Sequence, residues 1–143
     1  KVYILDVDSF GIDEIKSKIY TPGYADPMAL DFEGNINTSK FSDYYSYAII
    51  SFLALTHIHP FKGVYLKDGN VVKMTTEKRM KNKISVLGNH NIRLPKHINE
   101  NAAWGWMSDE LKTAFLEIFE GEKRFNMVNI LEEEVSKIRE FKN

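Results

Sequence analysis

The chain has no cysteine among its 143 residues. That excludes disulfides, thiolate metal sites and a cysteine nucleophile, and it accords with a reducing, cytoplasmic setting. A charge imbalance is also missing: 19 basic residues stand against 20 acidic ones, for a formal net charge of −1. Nucleic-acid binders usually carry a basic excess, so no nucleic-acid partner is expected. The longest apolar run, Tyr47 to Leu55, falls well short of the roughly 20 residues that cross a bilayer. With no signal-peptide pattern either, no membrane association is expected. No Gly-x-Ser-x-Gly elbow, Walker loop or dinucleotide-binding glycine pattern occurs, so residues 1–143 hold no evident phosphate cradle.

What is present suffices for one compact domain. Hydrophobic residues make up 43% and aromatics 13% of the chain, enough to build a substantial core. Lys1 to Leu5 is β-branched and aromatic and reads as a short strand running into Asp6-Val7-Asp8-Ser9. A strand that begins at Lys1, with no lead-in, suggests a fragment; a trimmed natural start is the other reading. Residues 9–26, with Gly11, Pro22 and Gly23, read as a long ordered loop, a type of segment that is often functional. Pro27 to Phe32 suits a short helix, followed by a loop over 34–39. Ser42 is placed to cap a helix over 43–57. Its residues are apolar on nearly every side, which predicts a buried central helix.

Beyond His59-Pro60, Val64 to Val72 reads as a hairpin around Asp68-Gly69, or else as a loop insertion. A helix is expected over 75–86 and irregular chain over 88–106. Ser108 caps a helix to Phe119, with Asp109 and Glu110 at its positive end and Gly121 closing it. Ile130, Leu131, Val135, Ile138 and Phe141 form the packing stripe of a last amphipathic helix. The fold class is therefore mainly α: a helical bundle around a central buried helix, with a short N-terminal strand and a small hairpin.

Few residues suggest chemistry on their own. Asp6 and Asp8, two apart at a strand end, can point to one side and hold a hard cation such as Mg²⁺; acids that cap turn N–H groups are the plainer reading. His57 and His59 have metal-ligand spacing but no obvious third ligand, and a His at a helix end is favoured by the dipole alone. The basic run Lys78 to Lys83 reads as a solvated helix face. Trp104 and Trp106 belong either to the core or to an interface.

Four ordered blocks resemble the C-terminal lobe of the protein-kinase family. Val2 to Phe10 resembles the strand entering the Asp-Phe-Gly motif, with Asp6, Val7 and Asp8 in its three places. Thr21-Pro22-Gly23-Tyr24-Ala25-Asp26-Pro27-Met28 is similar to the end of an activation segment, T-x-x-Y-x-A-P-E. Ser42-Asp43-Tyr44-Tyr45-Ser46-Tyr47-Ala48, followed by Thr56 and His59-Pro60-Phe61, is similar to the S-D-V-W-S-x-G helix and its ending. Phe119 to Arg124 resembles the late segment that ends in an arginine. The variant Asp-Val-Asp form looks like that of divergent bacterial and phage kinase-like proteins.

This resemblance implies a kinase-like lobe spanning residues 1–143. It implies that Asp6 coordinates the Mg²⁺ bridging the phosphates of ATP. It also implies that Thr21 positions the substrate and that Asp43 is buried, accepting hydrogen bonds from a catalytic loop. Residues 9–26 would form the activation segment, with Ser17, Tyr20 or Thr21 open to phosphorylation. The family's Gly-rich loop, anchoring Lys, its Glu and the H-R-D loop lie upstream of the Asp6 block, and residues 1–143 contain none of them. Alone, the chain is expected to be inactive. Its partners would be the missing N-lobe segment, a protein substrate and, through the face left open, a second copy. The other reading is a pseudokinase or protein-interaction module without catalysis. Met28 stands where the family has the glutamate that pairs with the arginine, so Arg124 is expected to turn to Asp26 or to solvent.

Overall fold

The computed structural model describes residues 20–142. The N-terminal strand, Asp6, Asp8 and Ser17 lie outside them. A turn over Thr21–Tyr24 leads to a 3-10 turn, Pro27–Ala29, capped by the Asp26 side chain. Helix α1 follows over Lys40–Thr56, then strands β1, Val64–Lys67, and β2, Asn70–Val72. Helix α2, Thr76–Lys81, and strand β3, Ile92–Arg93, come next. Helices α3, Glu100–Ala103, α4, Asp109–Phe119, and α5, Val128–Lys142, complete the described chain. The architecture is mainly helical with one small antiparallel sheet in the order β2-β1-β3.

Helix α1 starts three residues earlier than expected. Ser39, not Ser42, is the cap: its Oγ accepts from Ser42 N–H, while Ser42 Oγ accepts from Ser39 N–H at 2.8 Å. The two serines form a reciprocal capping box, with Ser42 as its inner member. The helix ends as His57 enters the left-handed region at φ 60°.

The expected burial of α1 on all sides is corrected. Tyr45, Ala48, Ile49 and Phe52 are buried against α4, but Tyr47 and Ile50 remain 40% and 54% exposed. Asp43 shares that open side and is exposed, not buried. One packed partner covers one stripe of a helix, and the described residues supply no second helix opposite. Phe52 centres the core, its ring 5.2 Å from Phe115 and 5.7 Å from Phe119, both edge-on. Trp104 joins it at 6.0 Å, whereas Trp106 is exposed.

The hairpin forms where Asp68-Gly69 directed it. Both residues have positive φ, 51° and 77°, the signs of a type I′ turn. The third strand was not foreseen: β3 is two residues long, too short for a periodic pattern, and it pairs Ile92 with Tyr65. Its approach leaves no room at Gly63, where an added Cβ would lie 2.7 Å from Ile92 Cγ2. The helix expected over 75–86 stops at Lys81. The basic run is not a solvated face throughout, since Arg79 and Met80 are buried. On α5 the stripe is covered only near its start: Ile130 and Leu131 pack on the core, while Val135 and Ile138 are exposed.

Gly63→Ala should destabilise the chain by more than about 1 kcal/mol, and by more than Gly34→Ala, whose φ is also positive but whose surroundings are open. Urea unfolding of both variants checks this; equal losses would mean that β3 does not press on Gly63.

Candidate functional site

The segment from Thr21 to Met28 carries the candidate residue Thr21, and three side chains from other parts of the chain hold it. Pro22 and Gly23 occupy the centre of a β-turn closed by Tyr24 N–H donating to Thr21 O, and Gly23 has φ +86°. That sign at the third position is what a type II turn requires. Ser46, from α1, donates its hydroxyl to Tyr24 O at 2.9 Å. His59, just past α1, places Nε2 2.8 Å from Gly23 O.

The third tether is an ion pair between residues 98 positions apart. Arg124 Nε lies 2.6 Å from Asp26 Oδ2, and Arg124 Nη2 donates to Asp26 Oδ1 at 2.9 Å. Both side chains are almost fully buried, at 8% and 4% exposure. Of the two expected outcomes, Asp26 or solvent, Arg124 takes Asp26. A bidentate guanidinium–carboxylate fork is the strong form of this bond. The remaining nitrogen, Nη1, donates to Ile118 O at 3.0 Å and Lys123 O at 2.9 Å, capping the end of α4. Asp26 Oδ1 also accepts from Met28 N–H. The guanidinium stacks over the Tyr45 ring, 4.6 Å from its centre. Burial, with the Asp26 charge adding to it, pushes the Tyr45 phenol well above its ordinary value. Among the described residues the Tyr45 hydroxyl has no hydrogen-bond partner.

Thr21 and Asp43, both expected at the site, line one cavity of about 280 Å³ between the segment and α1. Both are exposed. A larger cleft of about 580 Å³ opens on the other side of the turn, walled by Pro22, Tyr24, Ile58, Pro95 and Ile98, with Glu77 and His97 at its polar edge.

His59 carries more weight than its sequence context suggested. Its Nδ1 accepts from Phe61 N–H, which leaves the Nε2 proton to bond Gly23 O and fixes the neutral tautomer. Burial lowers its pKa; the Gly23 carbonyl opposes this, and the nearby Lys62 and Arg79 charges reinforce it. His57, by contrast, is an exposed helix cap. Among the described residues no group of His, Asp or Glu is arranged to hold a metal. Asp6 and Asp8 are not among those residues.

Ser85, His90 and Glu120 also converge, but their wiring is not nucleophilic. Ser85 Oγ donates to Glu120 Oε1 at 2.6 Å, and His90 Nε2 reaches the same oxygen at 3.0 Å. The carboxylate that takes the Ser85 hydroxyl is shared with His90 and with Ser85 N–H, and His90 meets Glu120 rather than the serine, so the order of contacts is not that of a serine–histidine nucleophile. The cluster ties the 85–90 segment to the end of α4. It escaped sequence reasoning because its members lie 30 and 35 residues from their partner.

Comparison with protein-family models, curated proteins and solved structures finds no match for this chain. Among the described residues no helix is long and apolar enough to cross a membrane.

Because folding favours neutral His59, the unfolded chain takes up its proton first on acidification. The His59 contribution to stability is therefore complete above about pH 6.5 and is lost as pH falls from there through the lower folded value. Urea unfolding from pH 8 to 5 should show a steeper loss for the native chain than for His59→Gln; parallel curves would remove His59 from the account.

Proposed function

We propose that this chain is the substrate-binding lobe of a serine/threonine protein kinase-like domain, acting with a nucleotide-binding half that residues 1–143 do not contain. The observation that carries the proposal is the buried Asp26–Arg124 pair. In the resemblance, an acid at the end of the activation segment meets the arginine of the late segment. Met28 holds the place of that acid and is 60% exposed, and Asp26, two residues earlier, meets the arginine instead. A shifted acid preserves the tether between the segment and the helical core. The 580 Å³ cleft beside Pro22 and Tyr24 fits an extended peptide substrate, with its apolar walls and few polar edges. Thr21 lies at the mouth of the neighbouring cavity, where it would face both substrate and catalytic loop. Exposed Asp43 would become buried when that loop packs on α1. Asp6 would hold Mg²⁺, which supplies charge neutralisation for the phosphates of ATP.

A second reading, a pseudokinase or protein-interaction module, is favoured by the Asp6-Val7-Asp8 variant and by Met28. Phosphoryl transfer depends on positioning the phosphates, the metal and the nucleophile together. The chain alone is therefore expected to transfer nothing. A polypeptide that joins it to its nucleotide-binding half should transfer labelled phosphate from Mg²⁺-ATP to protein, and Asp6→Asn should abolish this. Absence of transfer by a folded protein of that kind would favour the second reading.

A further inference from the structure

Helix α5 is packed only over its first turns. Ile130 and Leu131 lie on the core, and buried Glu134 accepts from Ser108 N–H at 2.8 Å. From Val135 to Glu140 every residue is exposed. A short helix owes most of its stability to a packed apolar face, and these turns have no such cover among the described residues. Yet they carry the face. Leu131, Val135 and Ile138 follow the four-three spacing of a coiled-coil seam. Leu131 is half-buried, while Val135 and Ile138 are 41% and 36% exposed.

The charges around this seam are not equivalent. On the outer side Glu133 stands four residues before Lys137, and Lys137 three before Glu140, so each has an opposite charge within reach along the helix. Glu132 and Arg139 have none. Their neighbours three and four residues away include no opposite charge, and neither joins an ion pair among the described residues. Lying seven residues apart, nearly two full turns, they share one column beside Val135. The opposite edge of the seam belongs to Glu134, which Ser108 already occupies.

A column that is acidic at one end and basic at the other complements its own copy only when reversed. We propose that α5 is a self-association surface: two copies lay these helices antiparallel, Val135 of each against Ile138 of the other, with Glu132 of each opposite Arg139 of the other. A two-fold interface makes each of these contacts twice. The apolar seam supplies the affinity, and the flanking charges set the direction. A parallel pair would instead bring the column beside Glu134 of the second copy and leave Glu132 without a cation. The buried area falls below the roughly 1,200 Å² of a stable interface, so the association is weak and reversible. It does not rest on the kinase-like reading.

The absence of native cysteine allows a direct test, since an introduced thiol is the only one in the chain. Chains carrying Val135→Cys and Ile138→Cys are oxidised separately and as a mixture, and the products are separated by mass. The mixed 135–138 cross-link should dominate. Glu132→Arg or Arg139→Glu, added to both chains, should each cut its yield by about tenfold, because each sets like charges together. The two changes combined should restore it. All four positions are exposed, so circular dichroism should show an unaltered fold. Light scattering of the unmodified chain up to about 1 mM should show its mass rising with concentration, and Ile138→Asp should hold it at one copy. A single-copy mass throughout, a dimer indifferent to Ile138→Asp, cross-links dominated by 135–135 or 138–138, or a double charge change that fails to restore the link would overturn the proposal.

Discussion

A buried guanidinium–carboxylate pair sets the terms for the rest of the molecule. Asp26 sits in an irregular segment that packs on the core through Tyr24 and Ala25. Arg124 lies just beyond α4, in chain that is equally irregular. Each would be costly to bury alone, and each satisfies the other through two short bonds. The same arginine stacks on Tyr45 and caps the carbonyl end of α4. One side chain therefore joins the Thr21–Met28 segment, the central helix and α4. His59 and Ser46 fix the near end of the segment through its carbonyls, so that the turn is held at both ends.

Local signals in the sequence placed some elements well. The Asp68-Gly69 turn and the Ser108 cap each depend on residues within one turn of each other; the cap formed as read, and of the two readings for 64–72 the hairpin is the one that formed. The Arg124 partner was legible only as one of two outcomes, Asp26 or solvent, and burial chemistry explains why a guanidinium at 8% exposure takes the acid. Other features depended on tertiary partners. Ser39 and Ser42 are equally good caps in isolation, and only the direction of the preceding chain chooses between them. The apolar composition of α1 says that much of it can be buried, not how much of it meets a neighbour. Arg79 sits within a run of lysines, and its burial rests on the carbonyls of Gly63 and Ile84, which the fold brings to it.

The candidate site was partly legible in the same sense. Thr21 and Asp43 do share a cavity, although Asp43 is exposed there. His59 was read as an ordinary helix-end histidine, because nothing in its neighbourhood points to Gly23, 36 residues earlier. The cleft of about 580 Å³ lies beside the same tethered segment, at Pro22 and Tyr24.

The central claim is that Asp26 and Arg124 act as one unit holding that turn to the core. A double-mutant cycle in urea, with Asp26→Asn, Arg124→Gln and both together, measures it most directly. Each single change should cost about 3–5 kcal/mol by stranding its buried partner, and the double change little more than either. Additive losses, with a coupling below about 0.5 kcal/mol, would contradict the account and make the pair incidental to the fold.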